Sequence, residues 1–156
     1  MNKSFRVVGI VAVLAGMAGP AAADQKADVA AVHAIDQAFL KAYTAGDADA
    51  LANLYDENAV LMPPGSAAVR GKAAIRAYWA KDVADSAKAG ITMSFSGEKD
   101  GGANGGNGWA AGHFTVKDKD GKQVDAGKFL SVSHKVNGKW LYVRDTWNFD
   151  TPRVKP

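Results

Sequence analysis

The C-terminal segment Lys139–Asp150 constrains the fold more than any other stretch of this chain. It is rich in aromatic and β-branched residues, and the preceding Asn137-Gly138 can supply the two positive φ angles of a tight hairpin turn. The pattern predicts a β-strand, in which alternate side chains share one face. That face would carry Leu141, Val143, Asp145, Trp147 and Phe149. A carboxyl group in an apolar row needs a partner, a proton or a wet cavity, so we expect a pocket with Asp145 as its polar centre.

The N-terminus has the pattern of a secretory signal peptide. Two basic residues precede an apolar run, Val7–Met17, and the small residues of Pro20–Ala23 follow it. The run is too short to span a bilayer comfortably. We therefore expect cleavage after Ala23, which makes residues 1–23 a signal peptide and residues 24–156 a single domain. This predicts a periplasmic or secreted protein with no membrane association after cleavage; the alternative is a buried N-terminal helix.

Charge and cysteine content exclude several function classes. Removing Lys3 and Arg6 with the signal leaves 17 of the 19 basic residues against 16 acidic ones. The sequence shows no stripe of basic residues that could contact a phosphate backbone, so we expect no nucleic-acid partner. The absence of cysteine excludes disulfides, thiolate metal sites and a cysteine nucleophile. The three histidines lack metal-ligand spacing, and the Asp118–Gly121 turn lacks the later ligands of a calcium loop, so we expect no metal and no cofactor.

Three helices are predicted ahead of the main sheet. The first, Asp28–Ala45, carries an apolar stripe with Asp36 in its middle. The stripe consists of Val29, Val32, Phe39, Leu40 and Tyr43. Asp36 either pairs with a base near the helix start or is a second pocket acid. The other helices are expected at Ala48–Tyr55, capped by Asp47, and at Lys72–Ala89, with Ile75, Tyr78, Trp79 and Val83 as the apolar side.

The rest of the chain alternates in the manner of half-buried strands. Strands are expected at 59–62, 91–96, 109–117, 123–136 and 139–150. The glycine-rich stretch Gly97–Gly108 lacks the ending of a phosphate loop and is predicted to be a mobile hairpin connection. The element order predicts an α+β fold in which three N-terminal helices cover one face of a curved antiparallel sheet.

Hairpin register predicts which side chains share the face of Asp145. If Asn137-Gly138 and Asp120-Gly121 are both two-residue turns, Val132 opposes Val143, Lys128 opposes Trp147 and His113 opposes Lys128. One face would then hold Trp109, His113, Lys128, Val132, Val143, Asp145 and Trp147. A bulge in the Asp-Gly turn would move His113 to the other face.

The predicted pair of His113 and Asp145 has the residue types for proton transfer. The alternatives are that His113 is satisfied by its neighbours, and that Lys128 neutralises Asp145 in a structural ion pair. The candidate catalytic residues are Asp145 and His113. The candidate ligand-binding residues are Asp36, Phe39, Tyr43, Trp79, Trp109, Lys128, Val132, Val143 and Trp147.

The motifs resemble a known family in their order and spacing. Between Ile35 and Gly71 the chain reads Ile-Asp-Gln-Ala-Phe-Leu-Lys-Ala-Tyr-Thr-Ala-Gly-Asp, then Leu-Tyr-Asp-Glu-Asn-Ala-Val-Leu-Met-Pro-Pro-Gly, then Arg-Gly. Gly-Lys-Trp and Arg-Asp-Thr-Trp-Asn follow in the last strand. Together these resemble the SnoaL-like, ketosteroid-isomerase-like branch of the nuclear transport factor 2 superfamily.

The resemblance implies a cone-shaped fold with a deep apolar pocket, and it places Val143, Asp145 and Trp147 on the pocket wall. It also implies a homodimer formed through the outer face of the sheet. The register assigns Phe129, Ser131, Tyr142, Arg144 and Thr146 to that outer face.

The steroid isomerases of the superfamily use a tyrosine and two aspartates, and the matching positions here hold Phe39, Pro63 and Val132. We therefore do not expect steroid isomerisation by that mechanism. The leading hypothesis is an exported protein that binds a small, largely apolar molecule with Asp145 as polar anchor. One rival is a cofactor-free isomerase, cyclase or hydro-lyase that uses Asp145 and His113. Another is a non-catalytic dimeric interaction module.

Overall fold

A computed structural model of the chain describes residues 20–151, except for the side chains of residues 20–23, 98 and 99. The predicted signal peptide falls almost wholly outside the described residues, and its cleavage stays a prediction. The helices are α1 (Pro20–Thr44), α2 (Ala48–Ala52) and α3 (Lys72–Ala89). The strands are β1 (Tyr55–Met62), β2 (Val69–Arg70), β3 (Thr92–Asn104), β4 (Asn107–Lys117), β5 (Gln123–Val136) and β6 (Lys139–Phe149). No described helix is long and apolar enough to cross a membrane.

The six strands form one sheet in the order β2-β1-β6-β5-β4-β3. All neighbours are antiparallel except β1 and β6, which run parallel. The three helices lie on one face of the curved, unclosed sheet, so the predicted α+β architecture is confirmed. The core between them is apolar and includes Val32, Ile35, Leu51, Ile75 and Trp140.

Several local predictions are confirmed by the backbone. Asn137 and Gly138 have φ angles of 49° and 79°, as a tight hairpin turn with two positive φ angles requires. The Asp47 side chain accepts a hydrogen bond from the Ala50 N–H at 2.8 Å and caps α2. Gly90 ends α3 in the left-handed conformation, with φ 66°.

The prediction of a mobile connection at Gly97–Gly108 is wrong. Most of this stretch belongs to β3 and β4, which meet at a turn containing Gly105 and Gly106. Its glycines allow α1 to approach the sheet. A Cβ on Gly108 would lie 2.5 Å from Val32 Cγ2, and one on Gly101 would lie 2.6 Å from His33 Cε1. The glycines therefore allow close helix–sheet packing, which brings the buried face of α1, with Val32 and Asp36, against the sheet.

The second helix is shorter than predicted. It ends at Ala52, and the chain enters β1 at Tyr55, whose side chain is fully buried. The Leu54 carbonyl accepts a hydrogen bond from the Tyr142 N–H at 2.8 Å, so the last strand captures the residues at the predicted helix end. This tertiary contact determines where Tyr55 points.

The register of β5 and β6 differs from the prediction over its second half. His134 pairs with Leu141, as expected, but the pairing shifts by one residue between Ser133 and Val132. Val143 is the extra residue of a β-bulge. Beyond the bulge the observed pairs are Val132–Arg144, Ser131–Asp145, Phe129–Trp147 and Lys128–Asn148. Because side chains alternate, this single insertion exchanges the two faces of β5 and β4 relative to Asp145.

Candidate functional site

A cavity of about 310 Å³ opens between α1, α3 and the helix-facing side of strands β3 to β6. Aromatic side chains form much of its wall, and carboxyl groups lie among them. The lining residues are Asp36, Phe39, Tyr43, Trp79, Asp82, Ser86, Ile91, Met93, Phe95, Phe114, Val116, Val124, Asp125, Phe129, Ser131, Tyr142, Asp145, Trp147 and Phe149. A pocket of this size that combines apolar walls with a few polar groups is typical of small-molecule sites.

Asp145 lies in this wall and is 8% exposed. It comes from β6, two residues after the bulge at Val143. Tyr55, on the neighbouring strand β1, donates its hydroxyl to Asp145 Oδ2 at 2.5 Å. Burial raises the pKa of Asp145 to about 6, because the charged carboxylate loses its hydration. The hydrogen bonds from Tyr55 and from the Thr146 backbone oppose this rise, and the nearby charge of Asp36 adds to it.

Asp36 is the second carboxyl group of the cavity and is 1% exposed. It comes from the middle of α1 and accepts a hydrogen bond from the Tyr142 hydroxyl at 2.7 Å. His33, one turn earlier, places its Nδ1 3.8 Å from Asp36 Oδ2. Of the two interpretations of Asp36, a partner for a base or a second pocket acid, the geometry supports the pocket acid.

The two acid–tyrosine pairs are neighbours. The rings of Tyr55 and Tyr142 lie 5.2 Å apart, and both hydroxyls donate to carboxyl oxygens. Burial, followed by the charges of these carboxyl groups, raises the pKa values of both tyrosines well above their ordinary range. Both phenols therefore stay protonated and act as fixed donors.

Aromatic rings line the cavity alongside the two acid–tyrosine pairs. Trp79 stacks on Trp147 with centroids 5.6 Å apart, and Phe39 meets the Trp79 ring edge-on at 5.1 Å. Tyr43 donates a hydrogen bond to Asp82 Oδ2 at 2.8 Å and lies 2.9 Å from the Ser86 hydroxyl. These contacts tie α1 to α3 along one side of the cavity.

The structure brings together six of the predicted site residues and separates the others from them. Those that line the cavity are Asp36, Phe39, Tyr43, Trp79, Asp145 and Trp147. Those that do not are Trp109, His113, Lys128, Val132 and Val143. His113 is exposed on the face of the sheet that points away from the helices, so its predicted proximity to Asp145 is wrong.

The bulge explains the misplaced residues. The predicted pairs of Trp109 with Val132 and of His113 with Lys128 are correct, but they lie on the outer face. Trp109 is 40% exposed, and Lys128 forms its ion pair with Asp150 at 2.7 Å rather than with Asp145. Val143 is buried at the bulge itself without lining the cavity.

The predicted dimer face is wrong for the same reason. Phe129, Ser131 and Tyr142 line the cavity, whereas Arg144 lies on the outer face, where it pairs with Val132. The homodimer itself stays a prediction. The outer face still exposes large apolar side chains, with Leu130 at 46%.

Sequence reasoning missed the two tyrosines that hold the acids. Tyr55 falls at the end of a predicted helix, and the predicted register puts Tyr142 on the wrong face. A signal for Tyr142 was available, because Trp140 and Tyr142 are the largest residues on their side of β6, and both are buried against the helices. In the part of the chain that the structure describes, no group of three or more potential ligands could hold a metal ion.

Comparison with known proteins identifies the fold and the family. Residues 37–143 match the model of the SnoaL-like domain. The chain belongs to the SnoaL-like domain family. A search of curated protein sequences found no significant match. The match to the SnoaL-like domain model confirms the family resemblance predicted from the motifs.

Solved structures agree on the architecture. A nuclear transport factor 2-like protein with a cystatin-like fold from Novosphingobium aromaticivorans matches with a TM-score of 0.74 at 17% identity, over 86% of this chain and 92% of that one. A ketosteroid isomerase-like protein from Erwinia carotovora atroseptica matches with a TM-score of 0.64 at 22% identity, over 80% and 98%. At these identities the matches show the fold. A putative dehydratase of the nuclear transport factor 2-like family from Streptomyces avermitilis also matches, with a TM-score of 0.68 at 16% identity, over 81% of this chain and 99% of that one.

Proposed function

We propose that this SnoaL-like protein is exported and binds a small, largely apolar molecule in the cavity, with Asp145 as the polar anchor. The observation that carries the proposal is a buried carboxyl group, oriented by Tyr55, in the wall of an aromatic-lined cavity. Keeping Asp145 buried with a pKa near 6 is unfavourable for the folded protein at neutral pH. Such groups cluster at functional sites, because ligand binding or catalysis can require a carboxylate that folding alone disfavours.

The walls suit an apolar ligand. Trp79, Trp147 and Phe39 present ring faces and edges that would be covered by a bound molecule. Each 100 Å² of apolar surface removed from water is worth about 2.5 kcal/mol before the entropy of binding is subtracted.

The uncharged fluorophore N-phenyl-1-naphthylamine tests the binding proposal. It should bind at one site, and Met93→Trp, which adds bulk to a half-buried lining side chain, should weaken binding about tenfold or more. Val136→Trp is the matched control, since Val136 is 39% exposed and does not line the cavity. Fluorescence titration measures both. Absence of binding, or equal loss in the two variants, would contradict the proposal.

A second candidate function is proton transfer by Asp145, because a carboxyl group with a pKa of about 6 is suited to act as general base near neutral pH. Its partner would be Tyr55 or the pair of Asp36 and Tyr142, and not His113. The ketone 2-tetralone has acidic α-protons that exchange in D2O, and exchange can be followed by NMR. A proton-transfer enzyme of this type should accelerate exchange, and Asp145→Asn should return it to the buffer rate. If wild type and variant exchange alike, the binding function stands alone.

A further inference from the structure

The charged residues that the structure describes in the cavity wall are all acidic. Among these described lining residues, four are aspartates and none is lysine, arginine or histidine. Asp36 and Asp145 are buried, and Asp82 and Asp125 are half-buried. A cavity with this lining disfavours anionic ligands and attracts cations.

The uncharged part of the wall also suits a cation. Nine of the 19 lining residues are aromatic. Aromatic ring faces attract ammonium groups through their quadrupole, most strongly where water is excluded. Stacked Trp79 and Trp147, with Phe39 against the first of them, supply such rings in the same cavity as Asp145. The acidic residues and the rings are independent observations that favour the same ligand charge.

We propose that the cavity selects an apolar amine in its protonated form, with the ammonium group beside Asp145 and Asp36 and facing aromatic rings of the wall, and with the apolar body against the rest of the apolar lining. This inference rests on the proposed binding function and names its ligand class. An ammonium group would donate hydrogen bonds to carboxyl oxygens, just as Tyr55 and Tyr142 already donate to those acids.

The electrostatics of the two acids support the same ligand. Asp145 faces Tyr55 from β1, and its pKa is raised first by burial and then by the charge of Asp36 from α1. Asp36 faces Tyr142 from β6, and His33 lies 3.8 Å away on its own helix. A bound cation would offset the repulsion between the two carboxylates, and it would hold Asp145 ionised.

Three probes that share one ring system test the inference: 2-(1-naphthyl)ethylamine, 2-(1-naphthyl)ethanol and 1-naphthylacetate. Isothermal titration calorimetry on the wild-type protein at about pH 7.5 should rank the amine roughly tenfold tighter than the alcohol, and the carboxylate weakest. Lowering the pH below about 6 should weaken amine binding and leave alcohol binding unchanged, because Asp145 then takes up a proton. This comparison needs no variant.

Variants locate the effect. Asp145→Asn should weaken amine binding about tenfold and alcohol binding by less than about twofold. Glu57→Gln removes one negative charge from a side chain that is 74% exposed and outside the cavity, and it should change neither. If the alcohol binds as tightly as the amine, the cation inference fails while the binding function stands. If amine binding is unchanged in Asp145→Asn, the inference also fails. If none of the three probes and no N-phenyl-1-naphthylamine binds, both proposals fail.

Discussion

Asp145→Asn should raise the free energy of unfolding, relative to the wild type, by about 3 kcal/mol more at alkaline pH than at acidic pH. The reason is the pKa of Asp145, which burial raises from 3.8 to about 6. Each pKa unit is worth about 1.4 kcal/mol, and the group is buried, so solvent screening removes little of this. Asparagine keeps an oxygen that can accept the hydrogen bond from Tyr55 and has no proton to lose.

The sign follows from the raised pKa. In the unfolded chain Asp145 ionises near pH 3.8, but in the folded protein it holds its proton up to about pH 6. Its contribution to stability is therefore complete below pH 3.8 and is lost as the pH rises through 6. The wild type should lose stability over this window relative to the variant, which lacks the titration.

Urea unfolding of both proteins at about pH 4, 6 and 8 measures the effect. The informative quantity is the difference in unfolding free energy between variant and wild type, because titrations shared by both proteins cancel. Surface pairs such as Asp49 with Arg76 have the opposite pH dependence, since the arginine lowers the pKa of that carboxyl. Glu57→Gln, on the surface, should show no comparable window. A difference that is flat with pH would mean that folding does not raise the pKa of Asp145.

A stability gain combined with a loss of amine binding in the same variant would indicate that Asp145 serves ligand binding and not stability. Replacing a residue that is retained only for packing lowers the stability of the protein. A carboxyl group that destabilises the fold at neutral pH and strengthens ligand binding shows the trade-off expected of a site.

Much of the fold was accessible from the sequence because its signals are local. Helical periodicity located α1 and α3, and the Asn137-Gly138 turn placed the last hairpin in its correct initial register. An acid in an apolar row identified Asp145, because the cost of burying a charge does not depend on the details of the fold.

The rest of the site depended on one non-local feature. The bulge at Val143 has no glycine or proline to announce it, yet it moves Phe129 and Ser131 into the cavity and His113 out of it. Tyr55 was unpredictable in the same sense, because the contact that takes it from the helix end into β1 comes from Tyr142, far along the chain. Local sequence patterns carry no information about such pairings.

The glycine-rich stretch is ambiguous in sequence because glycine has two uses, flexibility and close approach. Gly108→Ala separates them and should destabilise the protein by about 3 kcal/mol. The added Cβ would lie 2.5 Å from Val32 Cγ2 and 3.0 Å from the Trp140 ring, so α1 has to move away from the sheet. A flexible connection would instead gain slightly from alanine. Gly46→Ala is the control: the added Cβ meets no atom within 4 Å, so only the strain of its φ of 68° remains, which should cost about 1 kcal/mol.

A double-mutant cycle with Val32 identifies the cause of that loss. Val32→Ala alone removes a buried side chain, which is 1% exposed, and should cost about 2 kcal/mol. In the double variant the methyl group that Gly108→Ala introduces takes the space that the valine methyl leaves. The two losses should therefore fall short of additivity by about 1 kcal/mol or more in urea unfolding. Strict additivity would mean that Gly108 acts through its backbone and not through the approach of α1. Since α1 carries Asp36 and Phe39, Gly108→Ala should also weaken amine binding, and partial recovery of that binding in the double variant would tie this packing to the geometry of the cavity.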